Sequence, residues 1–174
     1  MEPNKWKGNR REIAEDFWAT PRDAILPIRK YIPKEVKVIW EPTNGKNAIS
    51  NVLTEWGFTV IKTDKFPKTD DTIQLDFLEC DVPECDMIIF NPPFSLKTEF
   101  LKRVCEIGKP FLFICPFSII ETKKRYTMFK ENQLSVLNLD NRVNYIRDGE
   151  TKNKVFFHSV WTMKHPDYKN MILY

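Results

Sequence analysis

Nothing in this sequence is long and apolar enough to cross a membrane: no run approaches the about 18 consecutive apolar residues that a span requires. The amino-terminal stretch MEPNKWKGNRREIAEDFW is polar and lacks the apolar core of a secretory signal. The chain is therefore expected inside a cell, in the cytoplasm or nucleus, or in a host cell if its source is viral. Internal repeats and low-complexity tracts are absent, which excludes solenoids and tail-like segments. Cysteine is sparse and badly spaced for a metal. Of Cys80, Cys85, Cys105 and Cys115 only the first two are close, and no second pair completes a zinc knuckle, so reduced structural thiols and no metal are expected. Glycine-rich phosphate cradles are missing as well. No GK[ST] occurs, and the loop EPTNGKNA holds a single glycine, so neither a Walker loop nor a dinucleotide fingerprint is present.

What the chain does contain is the makings of one compact core. Its 174 residues are 42% hydrophobic, 13% aromatic and 29% charged, the balance of an ordinary globular domain. A single domain spanning residues 1–174 is expected, with no separate target recognition domain. The net charge of +3 is unevenly spread. Residues 1–40 carry nine Lys/Arg against six Asp/Glu, residues 41–91 four against ten, and residues 92–174 fourteen against eight. Basic flanks around an acidic middle suit a polyanionic partner such as a nucleic acid, and equally suit a solvated charged surface.

From about residue 20 onward the pattern alternates between helix and strand. Thr20 before Pro21 reads as a helix N-cap, with Ala24, Ile25, Ile28 and Ile32 on one face and a bend at Pro27. VKVIW (36–40), FTVIKTD (58–64), TIQLDFL (72–78), CDMIIF (85–90) and PFLFIC (110–115) read as strands. AISNVLTEW (48–56), closed by Gly57, and KTEFLKRVCEI (97–107) read as helices, as does the basic stretch 121–131. RVNYIRD (142–148) and KVFFHSVWTM (154–163) read as two further strands joined by a hairpin-like turn. The predicted fold class is α/β: a mostly parallel sheet with helices on both faces, finished by a C-terminal antiparallel strand pair.

In such sheets ligands bind beyond the carboxyl ends of the strands. The first four strands are followed there by Glu41, Asp64, Asp76 and Asn91. A carboxylate after the second strand can accept two hydrogen bonds from a ribose diol, which makes Asp64 a candidate. Gly45 allows the backbone close to a ligand lacking phosphate, and Glu41 is placed to meet an ammonium group. At Asn91 the chain runs into Pro92 and Pro93. Two imino acids remove two N–H donors and stiffen the backbone, so the side-chain oxygen of Asn91 and the Pro92 carbonyl remain as acceptors, with the Phe94 ring behind them. An exocyclic amino group on a planar base has two hydrogens to donate and a face to stack.

From about Asp16 to Met163 the chain resembles the S-adenosylmethionine-dependent amino methyltransferases, specifically the small DNA N6-adenine methyltransferases of phages and bacteria. Asn91, Pro92, Pro93 and Phe94 look like that family's catalytic motif. Phe17-Trp18-Ala19-Thr20-Pro21 is similar to its aromatic-x-Thr-Pro segment, and Glu41-Pro42-Thr43-Asn44-Gly45 to its cofactor motif, although Lys46 and Asn47 stand where the family has small residues. The resemblance implies a Rossmann-like methyltransferase fold with S-adenosyl-L-methionine as cofactor. It places Trp18, Thr20, Pro21, Glu41, Pro42, Asn44 and Gly45 around the methionine end, Asp64 at the ribose, and Asp76 and Phe77 at the cofactor adenine. It also implies methyl transfer to adenine N6 in DNA, with Asn91 and Pro92 accepting from N6 and Phe94 stacking the base. Within residues 116–150, Lys123, Lys124, Arg125 and Tyr126 are the candidate nucleic-acid contacts. Two alternatives stay open: an RNA methyltransferase acting on adenine N6 or guanine N2, and a catalytically inactive nucleic-acid-binding subunit. A partner subunit or homodimer is left unassigned.

Overall fold

The computed structural model describes residues 18–147, 150–151 and 156–174. Among the described residues four α-helices, α1 (Arg22–Ile25), α2 (Ala48–Glu55), α3 (Lys97–Ile107) and α4 (Lys123–Glu131), accompany ten strands. The strands are β1 (Val38–Glu41), β2 (Thr59–Asp64), β3 (Ile73–Gln74), β4 (Met87–Phe90), β5 (Phe111–Pro116), β6 (Ser135–Asn138), β7 (Ile146–Arg147), β8 (Glu150–Thr151), β9 (Ser159–Lys164) and β10 (Ile172–Leu173). Eight of them form one sheet in the order β10-β6-β9-β5-β4-β1-β2-β3, and β7 and β8 pair separately. All neighbours in the large sheet are parallel except β9, which runs antiparallel to both β5 and β6.

Residue chemistry accounts for the order. MIIF of β4 and FLFICP of β5 are buried at every position, as central parallel strands covered on both faces must be. The connection through α2 steps one way along the sheet from β1 to β2, and that through α3 steps the other way from β4 to β5; with the right-handed crossovers that parallel strands take, such opposite steps put the two helices on opposite faces. The order reverses between β1 and β4, which leaves a crevice at their carboxyl ends. β9 inserts its buried residues between β5 and β6, and the indole N–H of the fully buried Trp161 donates to the Ala24 carbonyl at 2.8 Å. That bond fastens α1 to the sheet.

Several expectations are corrected. The helix start is not capped by Thr20: α1 begins at Arg22 with Pro21 at the cap position and no side-chain cap bond. As expected at Pro27, the α-helix gives way to a 3-10 segment, Leu26–Tyr31. Of the strand expected over 72–78 only Ile73 and Gln74 pair with β2. Asp76 ends it, because its side chain accepts from the Leu78 N–H at 3.0 Å and its carbonyl from the N–H groups of Glu79 and Cys80. The hairpin expected between 142–148 and 154–163 reduces to the two-residue ladder Ile146–Arg147 with Glu150–Thr151. The second of those segments instead enters the main sheet as β9. β6 was not anticipated, since SVLN is too short to announce itself before β9 supplies its partner. Phe17 and parts of the turn after residue 147 lie outside the described residues. Among the described residues no helix is long and apolar enough to cross a membrane.

Trp161→Phe keeps most of the packed ring but strands the Ala24 carbonyl without its donor inside the core. The expected cost is about 1–3 kcal/mol, read as a lower urea midpoint with an unchanged slope.

Candidate active site

The crevice at the strand-order reversal is a cavity of about 860 Å³. Glu41 ends β1, Asp64 ends β2 and Asn91 follows β4, and all three line it, so the sheet brings together residues 50 positions apart in sequence. Among the described residues three buried side-chain oxygens have no hydrogen-bond partner: Thr20 Oγ1, Glu41 Oε2 and Asn91 Oδ1. Each belongs to a residue that lines this one cavity. A buried polar atom left unpaired costs about 1–3 kcal/mol, so the fold carries a local cost here that a ligand with matching donors relieves.

The loop after β1 is built to be rigid. The Asn44 amide donates to Asn47 Oδ1 at 2.6 Å and Thr72 Oγ1 at 2.5 Å, and its oxygen accepts from Ser50 Oγ at 2.6 Å. Asn44 thus lines the cavity as the knot of its own loop. Gly45 adopts φ 56°, and its N–H donates to Asp64 Oδ2 at 2.9 Å. The other Asp64 oxygen accepts from the Phe66 N–H at 2.8 Å. Each carboxylate oxygen keeps a further lone pair, so Asp64 joins two loops while still facing the cavity. Burial raises its pKa, and the two backbone donors pull against that rise.

Glu41 is 2% exposed. Burial raises its pKa well above the ordinary carboxylate range; contact with Ser50 opposes the rise and the Asp64 charge adds to it. A cationic group entering the cavity would reverse that penalty by giving the ionised form a partner.

Asp76 lines the cavity with its Oδ2 paired to Lys65 at 2.5 Å. Phe77 is buried in an aromatic layer, stacked on Phe100 at 5.1 Å and tilted against Trp40 and Phe90. Arg103 of α3 donates to the carbonyls of Phe77 (3.3 Å) and Cys80 (2.7 Å), pinning the turn that walls this end. Sequence reasoning passed over Arg103, because only the folded chain brings α3 to that turn.

The Asn91 amide is oriented from outside its own strand: Nδ2 donates to the Trp18 carbonyl at 2.7 Å, which leaves Oδ1 as the unpaired acceptor. Thr43 Oγ1 donates to the Asn91 backbone carbonyl at 2.9 Å, a second tie that the sequence did not disclose. Pro92 and Pro93 line the cavity. Phe94 does not: its ring meets Tyr145 at 5.5 Å and Phe157 at 5.4 Å, both edge-on, and Tyr145 in turn meets Trp18. Trp18 and Thr20 line the cavity, whereas Pro21 opens α1.

Lys123, Lys124, Arg125 and Tyr126 lie away from the cavity wall on α4. Lys123 and Lys124 are exposed and Tyr126 is 59% exposed, but Arg125 is occupied within the fold. Its guanidinium donates to the Ser118 and Ile119 carbonyls at 2.8 and 2.7 Å and to Thr98 Oγ1 at 3.1 Å, so it does not face outward for a phosphate. The four cysteines are free thiols, and burial pushes Cys105 up to about 11 and Cys115 up to about 12. Among the described residues no cluster of three or more His, Cys, Asp or Glu could hold a metal ion.

The strand order β3-β2-β1-β4-β5-β9-β6 with β9 reversed, opening on this cavity, defines a Rossmann-like methyltransferase fold. Residues 33–160 match the family described as adenine-specific methyltransferase EcoRI, and the chain belongs to that family. It is 37% identical over 49 residues to the type II methyltransferase M.EcoRI of Escherichia coli, a stretch covering 28% of this chain and 15% of that protein. The methyltransferase subunit of a type I restriction-modification system from Streptococcus thermophilus superposes with a TM-score of 0.57 at 12% identity, over 86% of this chain and 45% of that one. A dimethyladenosine transferase from Plasmodium falciparum does so with 0.57 at 14% identity, over 85% and 62%. At such identities the fold is what is shared.

Glu41 makes the stability of the fold depend on pH. Its folded pKa lies above the unfolded value, so between the two the unfolded chain holds fewer protons and stability falls as pH rises. Glu41→Gln removes that slope. Without ligand it is expected to match the wild type near pH 4 and to exceed it by about 1–3 kcal/mol above neutral pH, measured as melting temperature against pH. A wild-type curve no steeper than that of the variant would contradict the assigned burial.

Proposed function

We propose that this chain transfers a methyl group from S-adenosyl-L-methionine to the exocyclic N6 amino group of adenine in DNA. One observation carries the reading: Asn91 Oδ1 is a buried, unpaired acceptor of fixed orientation, in the same cavity as the unpaired Glu41 Oε2. The family and the name of M.EcoRI support adenine and DNA as the acceptor.

The residues present fit the cofactor. Glu41 would meet its ammonium group, the Thr20 hydroxyl its carboxylate, Asp64 its ribose, and the turn from Asp76 to Leu78 its adenine. S-adenosyl-L-methionine, when bound, supplies an electrophilic methyl group on a sulfonium. The chain's own task is to prepare the nucleophile. The N6 lone pair of adenine is delocalised into the ring, which makes it a poor nucleophile. Acceptance of its hydrogens by Asn91 Oδ1 and the Pro92 carbonyl favours a tetrahedral nitrogen with the lone pair localised. Because the Asn91 amide is held by the Trp18 carbonyl and the Asn91 backbone carbonyl by Thr43, little reorganisation of this corner is needed as charge develops.

A base inside a duplex must leave the stack to enter such a cavity, at a cost of a few kcal/mol. Lys123, Lys124 and Tyr126 offer exposed contacts that could offset it through the phosphate backbone and stacking. The chain acts as one catalytic domain on DNA, inside a cell or in an infected host.

The test is incubation with cofactor carrying a labelled methyl group, followed by separation of DNA, RNA and protein and nucleoside analysis by mass spectrometry. N6-methyladenine in the DNA pool is expected. Label in RNA guanine or in protein would overturn the assignment. Asn91→Ala is expected to lower turnover by at least 100-fold, an effect of about 2.7 kcal/mol or more, with cofactor affinity within about twofold of wild type by calorimetry.

A further inference from the structure

The peptide plane joining Asn91 to Pro92 has no N–H, because the nitrogen belongs to the proline ring. Its carbonyl oxygen is the one polar handle by which the rest of the protein can grip it. Thr43 takes that handle: its hydroxyl donates to the Asn91 carbonyl at 2.9 Å, across 48 residues of sequence. Thr43 sits two residues after Glu41 in the loop that lines the cavity, and its backbone is held by the neighbouring Asn44 knot and by the Asn44 N–H to the Thr63 carbonyl at 3.0 Å.

We infer that Thr43 is a positioning residue that aims both acceptors of the Asn91–Pro92 corner from the opposite loop. Fixing the 91–92 plane fixes where the Asn91 side chain departs. With the φ of Pro92 locked by its ring, it also restricts where the Pro92 carbonyl points. The Trp18 carbonyl then sets the last freedom, the rotation of the Asn91 amide, through the 2.7 Å bond to Nδ2. Three segments distant in sequence thereby converge on one plane. The geometry also makes the loop that follows Glu41 a reference for the acceptor corner, joined to it beyond the β1–β4 ladder by the Thr43 hydroxyl.

The kinetic part of this inference rests on the methyl-transfer reading; the structural part does not, and the experiment separates them. Thr43→Val is nearly isosteric and removes only the donor, while Thr43→Ser restores it. In the ligand-free protein the side-chain amide resonances of Asn91, assigned by their loss in Asn91→Asp, are expected as one sharp pair in wild type and Thr43→Ser. In Thr43→Val they are expected to be broadened or doubled. An unchanged pair in Thr43→Val overturns the inference, whatever the activity assays give. If the wild type methylates adenine, Thr43→Val is expected to lower kcat by about 10- to 100-fold, the scale of a misplacement of about 1 Å. Cofactor affinity should stay within about twofold and the melting temperature fall by no more than about 2–4 °C, with Thr43→Ser within about threefold of wild type. Equal losses in kcat and cofactor affinity, or failure of serine to rescue, would assign Thr43 to cofactor binding or general structure instead. Absence of methylation by the wild type would refute the proposed reaction and leave the resonance comparison to decide the role of Thr43.

Discussion

Two consecutive prolines after Asn91 govern how this site is put together. A strand end normally anchors itself with its own N–H groups, but here two are missing. The corner must be held by donors and acceptors from elsewhere, and they come from the amino-terminal segment through the Trp18 carbonyl and from the β1 loop through Thr43. What the corner presents in return is acceptor character alone. A strand end rich in acceptors and poor in donors, placed where the sheet order reverses, is suited to receive an amino group.

The cost of keeping such a place open is concentrated. Thr20, Glu41 and Asn91 each leave an oxygen buried without a partner, and all three line one cavity. Three such atoms at about 1–3 kcal/mol each amount to a large share of a typical domain stability of about 5–15 kcal/mol. The neighbouring structure is correspondingly stiff. The Trp40, Phe77, Phe90 and Phe100 rings pack in one contiguous layer beneath the cavity, and the Asn44 knot and the Arg103 bonds hold the loops above it. Rigid surroundings keep the unpaired atoms from relaxing onto one another.

Much of this was legible in the chain. Five strand patterns, the first four followed by an acid or an amide, together with the single-glycine loop and the double proline indicated a parallel sheet with a ligand at its carboxyl edge. The loop after β1 and the Asn91 corner both line the cavity at that edge. Other features were not legible. Arg125 stands in a run of basic residues and looks like a phosphate contact, yet its planar fork meets three oxygens at once inside the fold. Phe94 looks like a stacking plate, but Tyr145 and Phe157 turn it into part of a buried aromatic group. Thr20 looks like a helix cap and is instead an unpaired hydroxyl in the cavity wall.

The division follows from the range of the forces involved. By itself the sequence determined the alternation of elements, the residues at each strand end and the donor-poor corner. These depend on hydrophobic periodicity, on proline's missing hydrogen and on neighbours within a few positions. Only the tertiary structure decided that β9 runs backwards between β5 and β6, that Arg125 is occupied, and that Asn91 is aimed by Trp18 and Thr43. Each of those is a contact between segments far apart along the chain, made when apolar burial brings them together, and no local pattern encodes which distant carbonyl or hydroxyl will be waiting.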